Sequence, residues 1–193
     1  MKVLKNFLAI LLACALIFTA QDVFAFTTSP LRPIGNGAYT NFAGAGGWWF
    51  MADYTRVDEI TCNGTYDYVY ATSTGMKESF VVTSTTAFAS STITKIEIVP
   101  CASRIETGGM FAKLSKMNVF YRINGVDYSS TSGDYWLPNT STPQLLATST
   151  YANINYYVTS TANIEVGVEY QQCGFFGCAG VRLSNISAII YYE

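Results

Sequence analysis

Five cysteines and no histidine bound the chemistry open to this 193-residue chain. Two of the cysteines, Cys173 and Cys178, share the stretch QQCGFFGCAG. Such a pair can hold a metal, run thiol chemistry or close a loop. A zinc site calls for Cys-x-x-Cys spacing or help from histidine, and a thioredoxin-type site for Cys-x-x-Cys in a βαβ setting. Neither condition is met. Gly174 and Gly177 flank Phe175 and Phe176 and let the stretch bend tightly. Loop closure is therefore favoured over a metal and over free thiols. It would present Phe175 and Phe176 at a tip, as a contact surface does.

Lack of histidine removes the usual general base and metal ligand. The chain shows no glycine-rich phosphate loop, serine elbow or Cys/His pairing. Carboxylates remain. Asp53, Asp58, Glu59 and Asp67 lie within fifteen residues. Two carboxylates suffice for a glycosidase, and clustered acids with loop carbonyls can supply the six to eight oxygens that calcium takes. An acidic loop edge facing water is the plainer reading. The expectation is no catalytic residue and no obligatory cofactor, with Ca²⁺ as the metal these four acids would suit. Aromatic residues are the other candidates. Trp48-Trp49 and Tyr135-Trp136 are adjacent pairs, and a strand sends neighbours to opposite faces, so one ring of each pair faces outward. Exposed rings stack on sugars and serve equally at protein interfaces. Trp48, Tyr135, Trp136, Phe175 and Phe176 are the candidate ligand contacts, and most other rings fill a core.

The compartment is written at the N-terminus. Lys2 and Lys5 precede an apolar run from Phe7 to Ala20, and Val23-Phe24-Ala25 offers a cleavage site. This is the layout of a secretory signal peptide over residues 1–25, and the run is short for a membrane span. Retention as an anchor and lipidation at Cys14 are the alternatives. The apolar run continues to Phe18, past the point where a lipoprotein turns polar. Cleavage after Ala25 leaves 193 − 25 = 168 residues, enough for one domain with a core. It also removes two lysines and Asp22, leaving 9 basic against 12 acidic residues. No basic patch stands out, which argues against nucleic acid. No later segment is apolar and long enough to span a membrane. In a secreted or cell-surface protein the four remaining cysteines favour disulfides. Of three pairings, Cys173–Cys178 and Cys62–Cys101 are preferred.

The elements that must position these residues are strands. Residues 26–47, rich in Thr, Ser, Pro, Gly and Asn, read as a flexible lead-in to a domain spanning 48–193. From Trp48 onward Tyr, Val, Ile, Thr and Phe dominate. Met117, Val119, Tyr121 and Ile123 alternate with Lys116, Asn118, Phe120 and Arg122. Ile164, Val166, Val168 and Tyr170 alternate with Glu165, Gly167 and Glu169, and Ile96 and Ile98 oppose Lys95 and Glu97. Each such segment has one face for a core and one for water. The last run changes phase near Ser184-Asn185, where a bulge would restore it. Asn124-Gly125 predicts a two-residue type I′ hairpin. Strands are expected near 48–55, 66–71, 77–83, 92–100, 115–123, 126–130, 144–150, 154–159, 164–170 and 181–192. Many antiparallel strands without helices imply an all-β, two-sheet sandwich. Asn63-Gly-Thr65, Asn139-Thr-Ser141 and Asn185-Ile-Ser187 fit the N-glycosylation pattern.

Several motifs recur in order: Val57-Asp58-Glu59, Asp67-Tyr68-Val69-Tyr70, Lys77-Glu78-Ser79-Phe80, Ile93 to Ile98, Ile123 to Tyr128, Val166-Gly167-Val168 and Val181 to Tyr192. Together they resemble the jelly-roll-type β-sandwich modules of bacterial secreted and cell-surface proteins and of phage-like structural proteins. The likeness covers roughly residues 50–193, and the two cysteine pairs depart from it. It implies a jelly-roll-like antiparallel sandwich. That family has no fixed catalytic set, so no residue role carries over.

The expected function is an exported, non-catalytic β-sandwich module that binds a glycan or a surface protein. The alternative is a structural subunit of a cell-surface layer, appendage or phage-like particle, with homo-oligomers open to it.

Overall fold

The structure, a computed structural model, describes residues 25–46, 51–62, 67–105, 114–158, 163–173 and 179–193, with the side chains of 130–133, 172 and 173 excepted. Two antiparallel sheets pack as a sandwich. The first has the order β10-β6-β12-β4-β3, formed by Ser149–Tyr157, Thr92–Ser103, Val181–Tyr192, Tyr68–Ala71 and Ala43–Ala45. Short strands β1 (Phe26–Thr27) and β9 (Gln144–Leu145) add to β12 and β6. The second sheet runs β2-β5-β11-β7-β8, formed by Gly35–Thr40, Lys77–Ser84, Asn163–Cys173, Ser115–Ile123 and Val126–Trp136.

The alternating sets fall as their pattern demands. Met117, Val119, Ile123, Ile164, Val166, Val168 and Tyr170 are all buried in the core, facing Ile96, Ile98, Ile186, Ala188 and Ile190 of the first sheet. Removal of these branched side chains from water is the main term holding the sheets together. Asn124 and Gly125 both have positive φ, 51° and 79°, as the β7–β8 hairpin requires. The phase change in β12 is a register shift between Leu183 and Asn185 against β6.

Four segments differ from their sequence pattern, the first being the strands expected at 144–150 and 154–159, which form a short β9 and a single β10. Residues 53–56, expected to continue a strand from 48, form a 3-10 turn, Asp53–Arg56. The Thr55 hydroxyl donates to the Ala52 carbonyl, and the Val57 amide donates to Tyr54. These local bonds compete with strand pairing. The stretch read as a lead-in carries β1, β2 and β3, which lace both sheets. Strand β8 continues to Trp136, with an irregularity between the pairs Asn118–Asp134 and Phe120–Ser129.

Cys62 and Cys101 form a disulfide, Cα atoms 5.6 Å apart. It pins the segment after the 3-10 turn onto β6, and it marks the chain as one for an oxidising, extracytoplasmic compartment. Among the described residues no helix is long and apolar enough to cross a membrane. Cys178, and the sulfur of Cys173, lie outside the described residues.

Candidate functional site

The outer face of the five-stranded sheet gathers most of the ionic side chains on strands. Its residues are the polar halves of the alternating sets. Cross-strand register aligns Trp136 with Lys116, and Asp134 with Asn118. Glu169 stands between Asn118 and Lys77, and Glu165 beside Arg122. Such neighbours on one face lie within reach of each other.

The rows are tied into a lattice. Asp127 accepts from the Tyr39 hydroxyl at 2.7 Å and Arg122 Nη1 at 2.8 Å, and Lys77 Nζ lies 3.3 Å away. Burial alone would raise the Asp127 pKa, but the Tyr39 hydroxyl and the two cations hold it below its ordinary value. Lys77 also pairs with Glu169 at 3.8 Å. Asp134 pairs with Lys116 and accepts from Asn118 Nδ2 at 2.8 Å, and these two partners lower its pKa. Tyr39 crosses the face from β2. Its ring meets Phe120 edge-on, with Lys77 and Arg122 against its π face. Phe120, on the polar half of its strand, is thereby buried, and its ring rests on Gly167.

Trp136 stands at the open corner of this lattice and is 54 % exposed. Its neighbour Tyr135 turns to the core side, and its hydroxyl donates to the Ala147 carbonyl at 2.8 Å and lies 2.6 Å from Ser149 Oγ. Tyr135 thus tethers β8 to the start of β10. Trp48, Phe175 and Phe176 lie outside the described residues.

The acids that suggested calcium are dispersed in role. Asp53 sits 3.9 Å from Arg56 Nε. Burial raises its pKa against the pull of that cation. Asp58 forms an isolated bridge with Asn185, and the Asn185 amide nitrogen donates to the Glu59 carbonyl. Burial, with a smaller push from Asp67, raises Asp58. Among the described residues no group of three or more His, Cys, Asp or Glu is placed to hold a metal ion.

Sequence pattern placed Arg122, Glu165 and Glu169 on a polar face but did not mark them, or Lys77, as one network. Tyr39 gave no signal, because its role depends on β2, a strand without hydrophobic alternation that pairs with β5 about 40 positions on. Glu78 was also missed. It lies on the core side of β5 and is fully buried.

No family model matches the chain, and no curated protein matches it. Among solved structures it is similar to part of a ruminal GH26 endo-beta-1,4-mannanase, at 14 % identity and a TM-score of 0.31. The overlap takes in 87 % of this chain and 25 % of that one, so the chain spans about a quarter of the enzyme's length.

Proposed function

We propose that this chain is an exported, non-catalytic β-sandwich module that binds glycan at the Trp136 corner of its five-stranded sheet. The observation that carries this is an indole 54 % exposed beside a preorganised polar row, Lys116, Asp134 and Asn118. A flat ring stacks on a sugar face, and the fixed donors and acceptors beside it read hydroxyls. The ion pairs hold those side chains in place before a ligand arrives, which lowers the ordering cost of binding.

Strand edges favour binding over assembly. Addition of a neighbour's strand needs a long, regular edge. Strand β8 is broken by its irregularity before Asp134, and β10 by a register shift where Asn153 and Asn155 adopt φ of 57° and 49°. The N-terminal segment that could have reached a neighbour is paired within its own chain. The test is a glycan array with the secreted protein and with Trp136→Ala. Loss of one exposed ring should cost about tenfold or more in affinity with an unchanged melting temperature. Equal binding by the variant would remove Trp136 from the site. Binding of no glycan, with self-association in light scattering, would favour the structural subunit.

A further inference from the structure

The chain from Gly35 to Ala45 forms a strap: β2 lies on β5, and β3 crosses to β4 on the other sheet. The ladder between β2 and β5 is interrupted. Asn36 pairs with Phe80 and Thr40 with Glu78, so Gly37, Ala38 and Tyr39 bulge away. Side chains fasten the bulge instead. Glu165 Oε2 accepts from the Ala38 amide at 2.8 Å, and Ser79 Oγ accepts from the Tyr39 amide at 3.1 Å. Gly37 is needed here, since a Cβ would stand 2.3 Å from Ser79 Oγ and 2.4 Å from Glu165 Oε2. At the far end Arg56 Nη1 donates to the carbonyls of Ala45 and Gly46.

Beneath the strap lies Glu78. Oε2 accepts from the Phe42 amide at 2.9 Å, while Oε1 is buried with no hydrogen-bond partner among the described residues. The groups packed around it are few. The 3-10 turn brings Asp53 and Arg56, already ion-paired with each other. The strap carries no charged residue. Val168 stands opposite on β11 and Thr40 on β2, and β4 contributes the buried Val69 and Ala71. Lys77, Ser79 and Glu169 belong to the other face.

We propose that this strap is a proton-operated cover, closed while the buried Glu78 carboxyl keeps its proton and loosened when that proton leaves. A carboxylate with a bare oxygen in such a place must regain water, and lifting the strap is the shortest way to supply it. Opening would also take Tyr39 off Phe120, Lys77 and Arg122. Burial is the main cause that pushes the Glu78 pKa up to about 8; the amides of Phe42 and Asn41 oppose it, and Asp53 adds to it. The direction follows from linkage. The closed form binds the proton more tightly than an open form near the ordinary 4.5. Closure is therefore favoured below that value and progressively lost as pH rises from it toward 8.

The test is amide exchange of Phe42 in the secreted protein, corrected for intrinsic base catalysis. Its opening constant should climb toward about tenfold per pH unit between about pH 5.5 and 7.5. Glu78→Gln keeps an acceptor for the Phe42 amide and cannot ionise, so its opening should be flat with pH. Protection at Val119 and Val166 should be the same in both proteins, which shows that the fold is intact. If the variant does not fold, carboxyl-carbon titration of Glu78 in the wild type decides, with strap amide shifts following the same midpoint. A pH-independent Phe42, a variant that keeps the wild-type slope, or a Glu78 titrating near 4.5 would overturn the proposal. None of these outcomes depends on the glycan site.

Discussion

Cutting the cross-link between Cys62 and Cys101 should cost a calculable amount. The bond joins residues 39 apart. In the chain-entropy account, a loop of that length removes about 13 cal/mol/K from the unfolded chain, or about 4 kcal/mol at 25 °C. In a domain of this size that is a fall of roughly 10 °C in melting temperature. Cys62 is the better position to replace, because Cys101 is fully buried on β6 and its loss would add a packing cost. Replacement is preferred to reduction because it acts on Cys62 and Cys101 alone. The assay is guanidinium unfolding of Cys62→Ala beside the wild type, with Cys101→Ala and the double variant completing a cycle. If the cross-link carries the effect, the double variant loses little more than Cys101→Ala alone, and both exceed Cys62→Ala only by the packing cost at Cys101. The loop around Cys62 has other fastenings, the Asp58–Asn185 bridge and the Asn185 bond to the Glu59 carbonyl. A loss below about 1 kcal/mol would mean that the unfolded chain is already constrained there, and the entropic estimate would be refuted.

Gly167→Ala should destabilise by about 2–3 kcal/mol, because its Cβ would stand 2.4 Å from the Glu78 carbonyl and 2.5 Å from the Phe120 ring. Pairing it with Phe120→Ala removes the ring contact but not the backbone one. Chemical denaturation should thus show a double variant less unstable than the sum but still below Phe120→Ala. EDTA should leave the melting temperature unchanged, since Asp53 is paired with Arg56 and, among the described residues, no group of three acids is placed to hold a metal ion. A large drop in calorimetry would place a metal in the Asp53–Asp67 region.

What could be read from the sequence was whatever depends on neighbours along the chain. The period-two sets of β7 and β11 needed only the pleat, and they predicted the core residues Met117, Val119, Val166 and Val168. Asn124-Gly125 needed only its own backbone. The bulge in β12 showed as a broken period. Failures came where a distant partner decides. Phe120 sits on the polar half of its strand and is buried between Gly167, Lys77 and Tyr39, the last arriving from 81 positions away. Glu78 occupies a core-side position in KESF, where a charged residue signals either an error of phase or a special environment. Residues 26–45 lack hydrophobic alternation because short strands held by side-chain acceptors do not require it. Trp136 was legible as one of an adjacent pair, but which ring of the pair faces out was fixed by the register with Lys116 and Met117.

The same long-range dependence explains why the strap is the unit on which a proton can act. Strand β1 pairs Phe26 with Tyr192 and Thr27 with Tyr191, Thr28 exchanges hydrogen bonds with Ile190, and Leu31 bridges Ala188. The first described residues therefore wait for the last strand before they can dock, a closure of high entropic cost. Their return is modest: two residues of ladder, the Thr28 bonds and the Leu31 bridge on β12, an interrupted pairing on β5 and three residues on β4. The central strands β5, β11, β7, β6 and β12 are each paired on both sides and bury the apolar core. The strap puts one large side chain, Phe42, into the core, and segments with few ladder bonds and few such anchors open before the rest. Ionising Glu78 adds an unfavourable charge at the contact between that weak unit and the strong one. Its free energy is then released by moving the strap, and the sandwich beneath keeps its form.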